Sequence, residues 1–197
     1  MKQIRLFVNT EVPGGFTTLL QGGIFLKAEQ GETIGDLITS LPGFTMEYAR
    51  QKIQTIFLDG LPADDLDQQL WGKKAVIAIS AAMPGLAGAI FRKGGMHASL
   101  RTETAGKLSE NGQNTRPLQV RLKLFNMIAA ERGLEILDEG CVLPAAALEK
   151  FFAYRLPLLA TVHKVMMDDN VTDTDKLRDS LQSDNLIRLS IRSTNGG

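Results

Sequence analysis

The stretch AVIAISAAMPGLAGA, residues 75–89, decides how the first half of the chain is interpreted. The run KAVIAIS, residues 74–80, covers the first part of this stretch. It is apolar and rich in β-branched residues, a pattern typical of a strand in the middle of a sheet. The second part brings Pro84, Gly85 and Gly88, residue types that interrupt regular structure. The pattern therefore predicts a central strand that runs out into a glycine-rich segment.

Strand and helix patterns alternate upstream of this stretch. Residues 4–8 alternate apolar and polar side chains, and residues 24–29 form a return strand, so the two predict a hairpin. A helical spacing follows in GETIGDLITSLPGF, with Thr33 as the N-cap. Another strand is predicted over residues 55–58, and the following Asp-Gly pair at 59–60 predicts a tight turn.

The first predicted domain covers residues 1–101. A short helix is predicted over residues 66–71, and a hairpin that turns at residues 93–95 is predicted after the central strand. Its first 80 residues or so follow the order β-β-α-β-β. The polar segment 102–115 has almost no apolar residue and is the predicted domain boundary.

Beyond this boundary the sequence predicts a mainly α-helical domain over residues 116–197, so the predicted fold class is α+β. Leu118, Leu122 and Phe125 lie at helical spacing in a segment that begins near a proline and stops at Gly133. Further helices are predicted over residues 143–155, 158–167 and 173–182, the last with Asp173 as its N-cap, and a strand is predicted over residues 186–193.

The overall composition argues against several classes of partner. Lys plus Arg number 22 and Asp plus Glu number 22, so the formal charge of zero indicates no steering toward nucleic acid or an anionic membrane. The apolar runs are much shorter than the roughly 20 residues of a membrane span. The first ten residues do not have the pattern of a signal peptide. We therefore expect a cytoplasmic protein.

Few residues are candidates for chemistry. His97 and His163 are the two histidines, and neither lies near another ligand-type residue at a metal-binding spacing. Cys141 has no second cysteine to pair with and is expected to be an inert packing thiol. Asp64 and Asp65 invite an acid-base or metal role, but acidic residues are also favoured ahead of a short helix. The sequence predicts no catalytic residue, no metal site and no cofactor, and hence no enzyme.

The order of the elements, the helix start GETIGDLI, the turn FLDGLPADD and the stretch at 75–89 together resemble the β-grasp sulfur-carrier family. That family includes the small subunit of molybdopterin synthase and the thiamine-pathway sulfur carrier, which share the fold of ubiquitin. The resemblance covers residues 1–89. It implies an N-terminal β-grasp domain that acts in sulfur transfer or cofactor biosynthesis.

Members of this family end in a Gly-Gly tail whose carboxylate is adenylated by an activating enzyme and converted to a thiocarboxylate. In this chain Gly88 and Ala89 match the tail, and Gly196 and Gly197 form a second candidate pair. Such a tail must be extended and free of side chains, which favours glycine. A peptide bond joins Ala89 to Ile90, so the first candidate has no free carboxylate unless the chain is cleaved.

Two functions follow from the resemblance. The first is a protein-interaction module that binds a protein partner, such as an adenylating enzyme, and needs no free tail. The second is an active sulfur carrier with a thiocarboxylate at Gly197 or at a processed Gly88. An enzyme in the second half of the chain is disfavoured by the scarcity of catalytic residue types. The interaction module, the sulfur carrier and the enzyme are each compatible with self-association of the chain.

Overall fold

A computed structural model describes residues 1–9, 13–101, 103–105, 116–181 and 185–194 of the chain, which mixes α-helices and β-strands, as predicted. Two units can be distinguished. Unit 1 comprises Met1–Ile24 together with Gly133–Gly197, and unit 2 comprises Phe25–Arg132.

The elements are numbered in chain order. The strands are β1 (Lys2–Asn9), β2 (Ile24–Glu29), β3 (Thr55–Leu58), β4 (Leu61–Ala63), β5 (Lys74–Ser80), β6 (Pro117–Phe125), β7 (Cys141–Pro144), β8 (Val162–Met167), β9 (Asn170–Thr172) and β10 (Leu186–Thr194). The helices are α1 (Ile34–Thr39), α2 (Met46–Lys52), α3 (Gly85–Phe91), α4 (Asn126–Glu139), α5 (Ala145–Tyr154), α6 (Leu156–Leu159) and α7 (Thr174–Ser180). Pro13–Gly22 and Ala98–Leu100 form 3-10 helices.

The strands of unit 2 lie in the order β4-β3-β5-β6-β2. Strands β5 and β6 are parallel, and β3 is antiparallel to both β4 and β5. Helices α1 and α2 connect β2 to β3, and each begins at a threonine N-cap: Thr33 accepts from the amide of Asp36, and Thr45 accepts from the amide of Tyr48. The predicted strands at 55–58 and 74–80 and the Thr33 cap are thus confirmed, as is the tight turn, where Asp59 and Gly60 both have positive φ.

Alternation along β5 and β6 divides the sheet of unit 2 into two faces. The buried face carries Ile77, Ile79, Val120, Leu122 and Leu124. The side chains between them, which include those of Val76, Ala78, Lys123 and Phe125, are half-buried or exposed and form the second face. This second face holds the candidate site described below.

Unit 1 has its strands in the order β7-β10-β1-β8-β9. Strands β1 and β10 are parallel, β10 is antiparallel to β7, and β8 is antiparallel to both β1 and β9. Helix α7 begins at Asp173, whose side chain accepts from the amide of Lys176, so this predicted cap and the predicted strand at 186–193 are confirmed. The core includes Ile4, Leu6, Phe16, Phe152 and Leu189.

The predicted hairpin between residues 4–8 and 24–29 is wrong. Strand β1 pairs instead with β10, in parallel, and with β8, in antiparallel register. A 3-10 helix occupies residues 13–22, where the sequence predicted a wide turn. The alternation of Ile4, Leu6 and Val8 predicts a strand but carries no information about its partners, and β10 is nearly the whole chain away.

The second half is not mainly helical. The helix predicted from residue 116 is strand β6 followed by α4, because Leu118, Val120, Leu122 and Leu124 are all buried and their neighbours are not. The leucines therefore follow the two-residue period of a strand, although their spacing also fits a helix. The helix predicted over residues 158–167 is largely strand β8. The helix predicted over residues 143–155 is confirmed as α5, with Leu148 and Phe152 buried.

Two further local predictions are wrong. Residues 66–71 form no helix, because their carbonyls receive amides from the start of α1: Leu66 accepts from Gly35, and Gln68 accepts from Ile34. The hairpin predicted to turn at residues 93–95 is replaced by α3 and a short 3-10 helix.

The division of the chain also differs from the predicted domains at 1–101 and 116–197. Strand β1 lies with the C-terminal strands in unit 1, and β6 lies with β5 in unit 2. Both differences arise because a strand joins the unit of its parallel partner: β1 pairs with β10, and β6 pairs with β5. The predicted boundary at 102–115 lies almost wholly outside the described residues.

Candidate functional site

The first pair of tail candidates lies inside a helix. Gly88 and Ala89 belong to α3, and Gly88 is buried. A Cβ atom on Gly88 would overlap the main-chain carbonyl of Met83, so close backbone approach is what requires glycine at this position. An extended tail is therefore not formed at Gly88. Gly196 and Gly197 lie outside the described residues.

A buried arginine fixes the segment that contains α3. The side chain of Arg101 is only 1% exposed, and its Nη1 donates to Oδ2 of Asp64 at 2.6 Å. Its Nε donates to the carbonyl of Ile90 at 2.8 Å, and its Nη2 donates to the carbonyl of Arg92 at 2.7 Å. A guanidinium presents its donors in a fixed planar fork, so three acceptors at these places hold the chain around it in one conformation.

Asp64 is the carboxylate of this arrangement, and Asp65 is not. Oδ1 of Asp64 accepts from the amide of Gly94 at 3.0 Å, while Asp65 accepts from the amide of Asp67. Burial by itself raises the pKa of Asp64, but the hydrogen bonds from Arg101 and Gly94 outweigh it and lower the pKa below its ordinary value. Of the two aspartates noted in the sequence, Asp64 thus anchors the α3 segment, and Asp65 belongs to a local turn.

Gln54, just before β3, is a second anchor. Its carbonyl accepts from the amide of Lys93 at 2.7 Å, and its side chain accepts from Nε of Arg92 at 3.1 Å. The ring of Phe91 packs against that of Phe57, with centroids 5.4 Å apart. Residues 85–101, which we call the α3 segment, are therefore fastened to the β3–β4 side of unit 2.

Beside the α3 segment, the second face of the unit 2 sheet forms a cleft of about 490 Å³. This volume falls within the range of roughly 300–1,000 Å³ typical of ligand pockets. Val76, which lines the cleft, is 37% exposed, so the cleft is accessible from solvent. The lining is mainly apolar: Phe57, Gly60, Val76, Ala78, Ile79, Met83 and Phe125, with Ser80, Lys123 and Asn126 as its polar members.

Sheet register brings these residues together. Ala78 lies opposite Phe57 on β3 and opposite Lys123 on β6, and Ser80 lies opposite Phe125. Ser80 and Phe125 end two adjacent parallel strands, so the cleft extends to the carboxyl edge of the β5–β6 pair, where open sheets commonly bind ligands.

The polar end of the cleft is ordered by one hydrogen bond. Nδ2 of Asn126 donates to Oγ of Ser80 at 2.9 Å. Asn126 has a φ of 52°, a left-handed conformation that asparagine tolerates better than most residues. This conformation joins β6 directly to α4. Beside it, the ammonium group of Lys123 supplies a positive charge to an otherwise apolar surface.

A cluster on the helices of unit 2 was not foreseen from the sequence. The hydroxyl of Tyr48 donates to Oε2 of Glu131 at 2.8 Å, and the guanidinium of Arg132 lies 4.3 Å from the centroid of the Tyr48 ring. Burial and the hydrogen bond to Glu131 raise the pKa of Tyr48 to about 12. Tyr48 therefore remains a hydrogen-bond donor at physiological pH and ties α2 to α4.

Of the other residues considered for chemistry, His97 belongs to unit 2, and His163 and Cys141 belong to unit 1. His97 lies on the α3 segment, whereas Nε2 of His163 pairs with the hydroxyl of Thr194 in unit 1. Cys141 is buried, and burial raises the pKa of its thiol to about 12, which agrees with a packing role. Within the described ranges, no three His, Cys, Asp or Glu side chains converge in a way that could hold a metal ion.

Comparison with protein-family models, curated proteins and solved structures finds no match to this chain. None of the helices among the described residues has the length and apolar character that crossing a membrane requires. A function therefore has to be inferred from the side chains that line the cleft and the surfaces around it.

Proposed function

We propose that the protein is a β-grasp-type interaction module that binds a protein partner through the cleft of unit 2. The observation that carries the proposal is the position of the exposed apolar side chains of this unit. Val76 lines the cleft and Met127 follows Asn126 at its polar end, and Leu86, Met96 and Leu100 lie on the α3 segment beside it. Exposed apolar residues grouped around a cleft are typical of a protein-binding surface.

The chemistry of the lining indicates what the partner inserts. Phe57, Ala78 and Phe125 form an apolar surface for a hydrophobic side chain, and Lys123 can pair with a carboxylate close to that side chain. The hydrogen-bonded pair of Ser80 and Asn126 offers further polar contacts at the edge of the cleft. We therefore expect a partner segment that combines a large apolar residue with a neighbouring Asp, Glu or chain-terminal carboxylate.

The order of elements supports the β-grasp part of the proposal. Unit 2 runs β2, two short helices, β3, β4 and β5, as the family resemblance implies from the second strand onward. Its remaining strand is β6, which follows β5 in the chain instead of preceding β2. The family setting of sulfur transfer or cofactor biosynthesis, with an adenylating enzyme as a candidate partner, rests on the resemblance.

The alternative function is an active sulfur carrier. At Gly88 it would require cleavage within α3 and release of a buried glycine, so the geometry of that site disfavours it. The pair Gly196–Gly197 is the remaining candidate. Intact-mass measurement, after incubation with an adenylating enzyme, ATP and a sulfur donor, tests it: replacement of one oxygen by sulfur at Gly197 would establish the carrier function.

Photocrosslinking tests the interaction module directly. The full chain, carrying p-benzoylphenylalanine at position 76, is expected to give a discrete adduct with one protein in its own host. A chain with the same group at Val171, which is 68% exposed in unit 1, serves as the matched control. Ala78→Arg, which fills the floor of the cleft, should abolish the adduct. Equal adducts from positions 76 and 171, or an adduct insensitive to Ala78→Arg, would overturn the proposal.

A further inference from the structure

A second concave site lies on the sheet of unit 1, and it differs in chemistry from the cleft of unit 2. Three arginines, Arg5, Arg188 and Arg192, line a cavity of about 170 Å³. Gln3, Ile4, Glu139 and Ser190 complete the lining. A volume this far below that of most ligand pockets suits a single chemical group rather than a whole cofactor.

The arginines share one face because of strand geometry. Alternate residues of a strand point to the same side, so Arg188, Ser190 and Arg192 of β10 form one row. The parallel register with β1 places Arg5 opposite Ser190 and Gln3 opposite Arg188. Ser190 is therefore surrounded by guanidinium-bearing side chains on its own strand and on the next.

Ser190 is a largely buried residue in the lining of this cavity. Its residue is 8% exposed, and its hydroxyl makes no hydrogen bond among the described residues. The hydroxyl is not one of the buried unpaired side-chain atoms of the described residues, so it keeps contact with solvent and can donate to a ligand. The hydroxyl lies in the lining of the cavity, where a ligand oxygen can reach it.

Two of the three guanidinium groups are only weakly engaged, and the third is paired with an exposed carboxylate. Arg188 donates to the main-chain carbonyl of Glu139 at 3.2 Å and has no ion pair among the described residues. Arg192 is 3.8 Å from a carboxylate oxygen of Asp138, and both side chains are exposed. Arg5 pairs with Asp169, which is also exposed. Exposed ion pairs contribute little to stability, so these arginines can turn to a ligand at small cost.

We propose that this cavity, which we call the arginine cavity, binds the phosphate group of a small phosphate monoester. Guanidinium forks match phosphate oxygens with two parallel hydrogen bonds each, and the Ser190 hydroxyl supplies a further donor from the floor. Three guanidiniums around one hydroxyl suit a group with several oxygens better than a planar carboxylate. The rest of the ligand extends into solvent. This site lies in unit 1 and shares no lining residue with the proposed protein-binding cleft of unit 2.

Titration of the full chain with inorganic phosphate and with glycerol phosphate tests the proposal. Binding is followed by NMR of the β1 and β10 amides at constant ionic strength, with chloride as the comparison anion. Saturable shifts are expected with both phosphates and not with chloride. Arg188→Gln should weaken binding by about tenfold or more, and Ser190→Ala should weaken it to a smaller extent. Arg178→Gln, an exposed arginine on α7, is the matched control and should leave it unchanged.

Glu139→Gln separates ligand binding from a general loss of structure. Glu139 is a residue of the lining, so neutralising its negative charge should tighten phosphate binding, which destabilisation would not do. Far-UV circular dichroism of each variant checks folding, and if Arg188→Gln does not fold, Ser190→Ala and Glu139→Gln still decide. Binding that ignores these substitutions would overturn the proposal, as would binding to phosphatidic acid vesicles without binding to glycerol phosphate, which would indicate a lipid ligand.

Discussion

The two units arrange their strands alike and differ in the side chains that their sheets present. Each has a parallel pair, β5–β6 in unit 2 and β1–β10 in unit 1, with an antiparallel hairpin on one side of it. In unit 2 the partly exposed face is apolar around Val76, Ala78 and Phe125. In unit 1 the equivalent pair of strands carries Arg5, Arg188 and Arg192. One arrangement of strands thus presents two different side-chain surfaces, and function has to be argued from the side chains.

The parallel pairs also differ in how the chain builds them. Strands β5 and β6 are joined by the segment that contains α3, whereas β1 and β10 come from opposite ends of the described chain. A parallel connection needs a long crossover, and in unit 2 this crossover contributes Met83 to the binding cleft. The cleft therefore depends on the conformation of a connecting segment, whereas strand register places the three arginines of the arginine cavity.

The largest loss of stability is expected from substitutions in the buried cores of the two units, and it tests whether their central strands are equally well packed. Leu6 of β1 and Leu122 of β6 are both fully buried. Leu6→Ala and Leu122→Ala should each lower the free energy of unfolding by about 2–5 kcal/mol, because each leaves a cavity in a packed core. Urea denaturation followed by circular dichroism measures both. A negligible loss for either variant would contradict the packing described for that strand.

The next effect concerns the crossover of unit 2. Arg101→Met removes the donors to Asp64, Ile90 and Arg92 and should cost about 1–3 kcal/mol, because three hydrogen bonds of one buried guanidinium are lost. Limited proteolysis should then cut the α3 segment faster. Arg178→Met on α7 is the matched control, with an expected change within about 0.5 kcal/mol. Resistance to protease equal to that of the control would show that Arg101 does not anchor the segment.

The ion pair of Asp64 predicts a dependence on pH. Its pKa is lower in the folded chain than its ordinary value of 3.8, so its stabilising contribution is present above that value and is lost as pH falls through the folded pKa. Asp64→Asn should therefore be less stable than wild type at pH 7, and the difference should shrink below about pH 4. Denaturation at pH 7 and pH 3 measures this, with Asp65→Asn as the control. A constant difference across that range would exclude the ionised pair as its source.

The smallest effect is expected at the tyrosine cluster. Tyr48→Phe removes the hydrogen bond to Glu131 but keeps the ring beneath Arg132, so the cost should be about 0.5–1.5 kcal/mol. Tyr154→Phe is the control, because Tyr154 is exposed on α5. Urea denaturation measures the free energy of unfolding of both variants. Equal values for Tyr48→Phe and Tyr154→Phe would show that the hydrogen bond contributes nothing.

Local signals explain which elements could be predicted from the sequence. The strand at 74–80 and the helices capped by Thr33 and Asp173 were predicted because their determinants lie within a few neighbouring residues. Strand β6 was missed because Leu118 and Leu122 fit a helical spacing as well as an alternating one. Only burial of Val120 and Leu124 on the same face distinguishes the two.

The sites could not be predicted because they depend on register and on distant partners. Nothing local indicates that Arg5 lies opposite Ser190, or that Ser80 receives a hydrogen bond from Asn126. No local signal marks Arg101, and its role follows only when Asp64 and the carbonyls of Ile90 and Arg92 converge on it. Gly88 resembles part of a tail in the sequence because close packing and an extended chain both favour glycine.

The most direct test of the central claim compares the two sheet faces in one binding assay. The protein crosslinked from position 76 is purified, and its affinity is measured by calorimetry for wild type, Ala78→Arg and Arg188→Gln. We predict that Ala78→Arg weakens binding by about tenfold or more, since it fills the cleft, and that Arg188→Gln leaves it unchanged. Equal affinities of all three chains, or a loss confined to Arg188→Gln, would contradict the assignment of protein binding to the cleft of unit 2.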